Sequence, residues 1–393
     1  MNSPRQQKAV LFMQYSSLFG SGYAVSMAGP LIPYLRAELG FSLAQSGYFI
    51  SSIAVGSLFA IAVLLGLIHR VSRKRLIGFG NLAMVLSLVL SMFFNSFAML
   101  LALGFLRGIG NGCTQLGVQT VESEKTNIGR GRSMGRLHMT FSVGAISAPA
   151  VAGLIGFFPE TWRLIFLIGA IPVLFGSFAL RNIPDGIMPI PTRRAGSRGG
   201  VLRTPIVYVM ALLGFLFVSL EAMLYGWVPS YWEELNVGIV APAALALILA
   251  VTLALGRLLS SFFADRVGVG RYLIVISVIV LLASGIWSLV PIPGLIVLII
   301  AVIGVAAAGI FPMNMAIAAH RFPEAAGFIT NFILIFASLG GMVLPSVFGE
   351  LAETYGTILL PYTITGIALV LLLATFTVGR TALRIDPTTT HER

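Results

Sequence analysis

Long runs of apolar residues, separated by short polar segments, occupy most of the 393-residue chain. Twelve of them approach or exceed the length of about 20 residues that an α-helix needs to cross the hydrocarbon core of a bilayer. They cover residues 9–35, 42–68, 76–94, 97–121, 135–157, 162–181, 205–232, 239–264, 272–290, 294–320, 325–350 and 357–380. None shows the alternation over about ten residues that is typical of barrel strands. The pattern predicts an all-α membrane protein with twelve transmembrane helices.

The composition supports lipid as the surroundings of these helices. Hydrophobic residues make up 57% of the chain and charged residues 10%, whereas a soluble domain has about 25% charged residues. The single cysteine, Cys113, is too few for a disulfide framework or a thiolate metal cluster. A water-soluble globular fold is therefore excluded.

The placement of basic residues predicts the orientation in the membrane. With twelve spans, both termini and the connections after even-numbered spans share one side. All of the 25 lysines and arginines fall on that side, except Arg36 and Arg163 on the opposite side and Arg107 and Arg257 inside spans. By the positive-inside rule, both termini lie in the cytoplasm, and we expect a multi-pass protein of the plasma (cytoplasmic) membrane. The net charge of +11 is thus a topology signal, and nucleic acid is not expected as a partner.

Two halves of the chain repeat each other. Prolines, glycines and charged residues recur at one ungapped offset of 196 positions, which pairs span 1 with 7, 2 with 8 and 5 with 11. The pairs are Pro33 and Pro229, Glu38 and Glu234, Arg70 and Arg266, Gly144 and Gly340, Pro149 and Pro345, and Gly153 and Gly349. Between the halves, residues 182–204 have the proline, glycine and arginine content of a flexible linker. We predict two six-helix bundles, residues 1–181 and 205–393, the second with a short cytoplasmic tail.

Two cytoplasmic loops carry a related pattern of glycine and basic residues. After span 8 the residues are Asp265, Arg266, Gly268 and Arg271, and after span 2 they are Gly66, Arg70 and Arg73, with His69 at the aspartate position and Ser72 at the glycine position. On these motifs the chain resembles the major facilitator superfamily over its whole length. The resemblance implies the two-bundle major facilitator fold, secondary transport by alternating access, and a gating role for these loop residues.

Three further segments resemble the fucose-permease-like branch of that superfamily, which contains sugar–proton symporters. They are Leu137 and His138 with Phe141, Gly144 and Pro149; Glu221 with Trp227 and Tyr231; and Gly309 to Pro312 with Arg321 to Pro323. The acidic positions of the fucose permease in spans 1 and 4 correspond to Gly29 and Gln115 in this chain. The resemblance therefore does not identify which sugar this chain binds. The resemblance implies a small-molecule substrate, a proton and the lipid bilayer as partners, and we expect a monomer.

One carboxylate lies far from both membrane surfaces. The 14 acidic residues fall near the ends of the spans, except Glu221, which lies about sixteen residues into span 7 and so near mid-membrane at about 1.5 Å per residue. An ionisable group in the hydrocarbon is costly and is therefore a functional candidate. Burial favours its neutral form, which suits a proton-carrying carboxylate. The alternative is a structural role, in which Glu221 ties span 7 to a neighbour through Arg107 or another donor.

Span 4 carries four polar residues at intervals of four positions. Arg107, Asn111, Gln115 and Gln119 therefore lie along one side of the helix. Since a polar row is expensive against lipid, we expect it to line the central cavity, where amides donate hydrogen bonds to hydroxyls and accept them. Arg107 could pair with Glu221, bind a substrate carboxylate or phosphate, or donate to helix carbonyls. The alternative for the whole row is a polar contact between helices.

Four weaker candidates for substrate binding complete the set. Tyr225 and Trp227 in span 7 offer a hydroxyl and an aromatic platform, as sugar sites often do. Asn314 in span 10 and Asn331 in span 11 are isolated amides that either contact substrate or make packing bonds between helices.

Three other residues have simpler explanations. Tyr231 and Trp232, near the end of span 7, are expected in the aromatic belt at the membrane surface. Arg257, eight residues before Asp265, is expected to extend its guanidinium toward that surface.

The chain has no sequence motif of an enzyme. The phosphate-cradling glycine-lysine motif is absent and the four histidines lack metal-ligand spacing, so no cofactor and no metal are expected. We predict a secondary transporter, with proton-coupled uptake of a sugar or similar polar small solute as the first hypothesis. The alternative is a proton-driven exporter of a drug, metabolite or organic anion, because residues 144–153 resemble an alanine-substituted antiporter motif. The third and least favoured hypothesis is a non-transporting membrane receptor. Such a receptor would need large domains outside the membrane, and the twelve spans leave no segment long enough for one.

Overall fold

The computed structural model describes residues 4–67, 70–123, 130–156, 158–184, 200–238, 240–322 and 325–383. Within these ranges the secondary structure is helical, with fourteen α-helices and a few short 3₁₀ turns. The first seven are α1 (Pro4–Ser26), α2 (Ala28–Leu39), α3 (Leu43–Leu67), α4 (Arg73–Ser91), α5 (Phe97–Ser123), α6 (Arg130–Ile155) and α7 (Leu164–Arg181). The second seven are α8 (Pro205–Glu234), α9 (Pro242–Val267), α10 (Val269–Leu289), α11 (Pro293–Ala307), α12 (Ile310–Arg321), α13 (Ala326–Tyr355) and α14 (Leu360–Leu383).

Two of the predicted spans consist of two helices each. Span 1 is interrupted at Met27 between α1 and α2, and span 10 is interrupted at Ala308 and Gly309 between α11 and α12. Proline lacks an amide hydrogen, and its ring clashes with the carbonyl four residues earlier. Pro30 and Pro312 stand four residues after Ser26 and Ala308, where the two breaks begin. The two breaks account for fourteen helices in twelve spans.

The described helices have the length and apolarity of membrane spans. Nine single helices and the pair α11 and α12 form ten spans long and apolar enough to cross a bilayer, and Met139–Ile155 in α6 is a shorter apolar segment. Together with the pair α1 and α2, these agree with twelve spans. The all-α membrane fold is confirmed.

The chain divides into two compact units. The N-terminal unit comprises Met1–Arg194 and Ala241–Leu247, and the C-terminal unit comprises Ala195–Val240 and Ile248–Arg393. The predicted linker and bundle boundaries stay a prediction.

The same close helix contact is built into each unit. A Cβ added to Gly144 of α6 would lie 2.0 Å from the carbonyl oxygen of Phe19 in α1. A Cβ added to Gly340 of α13 would lie 2.2 Å from the carbonyl oxygen of Phe215 in α8. Both pairs obey the 196-residue offset. Glycine is needed at both positions because the backbone of another helix occupies the space of a side chain.

Candidate transport site

Glu221, near the middle of α8, forms an ion pair within the C-terminal unit. Arg257 Nη2 in α9 donates to Glu221 Oε1 in α8 at 2.7 Å. The side chains are 23% and 20% exposed, respectively, so the pair is largely buried. The expectation that Arg257 extends to the membrane surface is wrong, because the rotation of α9 turns its guanidinium toward α8. The sequence did signal this residue, as one of two arginines inside spans.

A buried arginine in the N-terminal unit has no anionic partner among the residues that the structure describes. Arg107 in α5 is 0% exposed, and its Nε, Nη1 and Nη2 have no hydrogen-bond partner among the described residues. Its guanidinium carbon lies 5.7 Å from the ring centre of Phe49 and 6.0 Å from that of Phe166. Such contacts contribute about 0.5–2 kcal/mol, whereas each buried unsatisfied donor costs about 1–3 kcal/mol. The rings therefore offset only part of the cost of burying this charge.

The polar row on α5 forms a chain of hydrogen bonds. Gln119 Nε2 donates to Gln115 Oε1, and Gln115 Nε2 donates to Asn111 Oδ1, both at 3.3 Å. Asn111 Nδ2 then donates to Ser57 Oγ in α3 at 3.3 Å. Asn111 is buried, whereas Gln115 and Gln119 are partly exposed. We call Asn111, Gln115 and Gln119 the amide ladder. The structure brings them together on one side of α5, and their contact with a substrate stays a prediction.

The aromatic residues near the end of α8 face the interior of the C-terminal unit. Tyr231 is 2% exposed and Trp232 is 1% exposed. The Tyr231 hydroxyl accepts a hydrogen bond from Trp287 Nε1 at 3.2 Å, and Trp232 Nε1 donates to the Val240 carbonyl at 2.8 Å. The expectation of an aromatic belt is wrong for both residues, because each has its polar atom satisfied inside the protein rather than at the lipid headgroups.

The four weaker candidates differ in their surroundings. Trp227 is fully buried and packs edge-on against Phe348, with 5.0 Å between ring centres. Tyr225 is partly exposed and lies one helical turn after Glu221. Asn314 Nδ2 donates to the Met210 carbonyl at 2.9 Å and so links α12 to α8. Asn331 is partly exposed on α13.

The loop signature is only partly visible. The surroundings of Gly66 and the side chain of Asp265 lie outside the described part of the structure, as does His69. Gly268, at the start of α10, has φ +88°, in the left-handed region that favours glycine. Arg73 is buried, whereas Arg70, Arg266 and Arg271 are exposed. The guanidinium carbon of Arg266 lies 3.9 Å from the ring centre of Phe262. The gating role of these residues stays a prediction.

Proteins of known sequence and structure resemble this chain along most of its length. A protein of Cupriavidus pinatubonensis described as a probable 4-methylmuconolactone transporter is 25% identical over 336 residues, which are 81% of this chain and 77% of that protein. The uncharacterized MFS-type transporter YfkF of Bacillus subtilis is 25% identical over 357 residues, 88% of this chain and 89% of that one.

Two solved structures share the fold. The crystal structure of a D-xylose-proton symporter has a TM-score of 0.77 at 13% identity, and covers 94% of this chain and 97% of its own. A mutant of the nucleoside transporter NupG has a TM-score of 0.73 at 16% identity, with coverage of 95% and 98%. At these identities the likeness shows the fold alone.

The family model of the Major Facilitator Superfamily matches residues 15–293 and, in a second alignment, residues 210–392. These matches cover both halves of the chain and confirm the resemblance drawn from the loop motifs. The relatives are transporters of similar length, not enzymes. The chain belongs to the Major Facilitator Superfamily and is a membrane transporter.

Proposed function

We propose that the protein takes up a small polar solute, such as a sugar or a similar hydroxylated compound, together with a proton. The observation that carries this proposal is the Glu221–Arg257 ion pair near the middle of α8. A carboxylate in this position can hold or release a proton without leaving the membrane, and an ionisable group at that depth is costly unless it has a function. The proposal places the protein in the plasma membrane with both termini in the cytoplasm.

Proton binding changes the charge of the pair. While Glu221 is ionised, its Oε1 accepts a hydrogen bond from Arg257 Nη2. A proton that arrives on Glu221 cancels the negative charge and weakens this bond, which frees the two helices α8 and α9 to adjust. Alternating access of the kind found in this fold then releases the proton and the solute on the other side. Arg257 keeps its own charge throughout.

The polar residues support a hydroxylated solute. The amide ladder presents donors and acceptors along α5, and Tyr225 adds a hydroxyl one turn from Glu221. Trp227, Asn314 and Asn331 complete the proposed set. The resemblance to sugar–proton symporters and the relative described as a probable 4-methylmuconolactone transporter support a small-molecule substrate.

The segment that suggested proton-driven export does not distinguish export from uptake. Export was suggested by residues 144–153 of α6. Gly144 contacts the backbone of α1, and Ala148 and Ala152 are buried. These positions serve helix packing, which transport in either direction requires.

The test compares Glu221→Gln with wild type in proteoliposomes, with D-xylose, D-glucose and D-gluconate as probes. Wild type should accumulate at least one probe when a pH gradient is imposed. Glu221→Gln mimics the protonated side chain, so it should exchange that probe across the membrane but fail to accumulate it. Glu160→Gln, an exposed carboxylate outside the proposed site, is the matched control and should behave like wild type. Continued accumulation of the probe by Glu221→Gln would remove Glu221 from coupling.

A further inference from the structure

We infer that the transported solute carries a carboxylate and that Arg107 binds it. This inference rests on the proposed function and narrows its substrate class from polar solutes to small hydroxylated acids. The observation that carries it is a fully buried guanidinium with three nitrogen atoms that have no hydrogen-bond partner in the described part of the chain.

A buried arginine needs an anion because it cannot shed its charge. The guanidinium stays protonated in proteins and presents five N–H donors, so it cannot become neutral as a buried lysine does. Glu221, the carboxylate near mid-membrane, is already paired with Arg257 in the C-terminal unit. Arg107 therefore lacks the compensation that Arg257 has.

The chemistry of the guanidinium and its surroundings suits a carboxylate. The planar guanidinium forms two parallel hydrogen bonds to the two oxygens of a carboxylate. Phe49 from α3 and Phe166 from α7 lie near the guanidinium and exclude water from it. Exclusion of water strengthens the attraction between the two charges. The rings thus favour a bound anion over a hydrated cation.

The amide ladder indicates what the rest of the solute contains. Asn111 lies one turn from Arg107 on the same side of α5, and Gln115 and Gln119 follow. Amides both donate to hydroxyl groups and accept from them. Exposure rises along this row, from the buried Arg107 and Asn111 to the partly exposed Gln115 and Gln119. A sugar acid whose carboxylate meets Arg107 would place its hydroxyls along the ladder.

The charges inside the predicted spans also favour a solute that carries a carboxylate. Among the described residues, Glu221 already balances Arg257 within the C-terminal unit, so the positive charge of Arg107 in the N-terminal unit stays uncompensated. A bound carboxylate balances it. When one proton on Glu221 and one carboxylate cross together, no net charge moves. Symport of an acid is therefore electroneutral, whereas symport of a neutral sugar with one proton carries one positive charge per cycle.

The binding test uses matched pairs of neutral and acidic sugars on the purified full-length protein. We expect D-gluconate, D-galactonate or D-glucuronate to raise the unfolding temperature at concentrations where D-glucose and D-galactose have no effect. Arg107→Gln should weaken binding of the acid by about 10- to 100-fold, the range for losing charged hydrogen bonds. Arg107→Lys should lose part of the affinity, and Arg181→Gln, an exposed arginine at the end of α7, should lose none.

A second measurement needs only the wild-type protein. In proteoliposomes, uptake of the acid driven by a pH gradient should not change when a potassium diffusion potential is imposed. The inference is overturned if neutral sugars stabilise the protein as well as their acids do, if none of the three acids stabilises it, if folded Arg107→Gln binds the acid like wild type, or if the potential alone drives uptake.

The two proposals fail in different ways. If a neutral sugar is accumulated with protons and Glu221→Gln abolishes accumulation, the proposed function stands and the carboxylate inference is wrong. If Glu221→Gln accumulates the acid like wild type, coupling through Glu221 is wrong while the role of Arg107 stands.

Discussion

The two units share a contact that joins the end of their first span to the loop before their last one. In the N-terminal unit, Glu38 accepts hydrogen bonds from Trp162 Nε1 and, at 2.6 Å, from Arg163 Nη1. In the C-terminal unit, Glu234 Oε2 accepts from the Thr357 amide at 2.8 Å and from the Thr357 hydroxyl. Glu38 and Glu234 are related by the 196-residue offset, and the duplication has kept the glutamate while its donors have changed.

The middle of the two units has diverged much further. By the same offset, Glu221 and Arg257 correspond to Val25 and Ile61 in the N-terminal unit. Arg107 and Asn111 correspond to Ile303 and Ala307 in the C-terminal unit. One unit therefore holds a paired carboxylate and the other holds an arginine with an amide ladder. The comparison indicates that packing and helix-end contacts follow the duplication, whereas the residues of the proposed chemistry differ between the units.

The largest difference in stability between the two units is expected when their buried arginines are replaced. Arg257→Met leaves Glu221 buried without its partner, and we expect a loss of about 2–3 kcal/mol in unfolding free energy. Arg107→Met, of similar length, removes a charge that has no partner among the described residues and should not lower stability. Thermal unfolding of both variants in detergent measures the difference. Glu221→Gln combined with Arg257→Met should recover much of the loss, and equal destabilisation by the two single changes would contradict the contrast.

Replacing the paired glycines should destabilise the two units equally. Gly144→Ala and Gly340→Ala each place a methyl group against the backbone of a neighbouring helix. We expect each to lower stability by about 1–2 kcal/mol, as overpacking commonly does. Gly285→Ala in α10 is the control, because a Cβ there meets nothing within 4 Å, and alanine suits a helix better than glycine. Chemical unfolding of the three variants compares them, and a large effect at only one of the paired glycines would show that the units pack differently.

The smallest effect concerns pH and the N-terminal glutamate contact. The hydrogen bond from Trp162, followed by that from Arg163, holds the pKa of Glu38 below its ordinary value of 4.5. A carboxyl group with a lowered pKa stabilises the folded state above its ordinary value, and this stabilisation is lost as the pH falls below it. Glu38→Gln should therefore make thermal stability less dependent on pH below about 4.5. The effect is small because the Glu38 side chain is 44% exposed.

The control for this prediction is Glu160→Gln, which removes an exposed carboxylate from the same loop region. It should leave the acid dependence of wild type unchanged. Identical pH profiles for wild type and Glu38→Gln, measured by thermal unfolding between pH 3 and 6 in steps of about half a unit, would show that the contact does not stabilise the N-terminal unit.

The sequence by itself determined the twelve spans, the duplication and the family. Hydropathy fixes where a chain can lie in lipid, because each backbone polar group must be satisfied within its own helix. These features are local, or depend only on the spacing of residues along the chain.

Only the tertiary structure decided which polar groups meet. The partner of Glu221 is Arg257, Tyr231 and Trp232 face inward, and Arg107 lies near rings from α3 and α7. Each of these facts depends on how a helix is rotated about its axis and which neighbour it packs against. That rotation is set by many contacts between residues far apart in the sequence, such as the glycine approach of α6 to α1, and no single span encodes it.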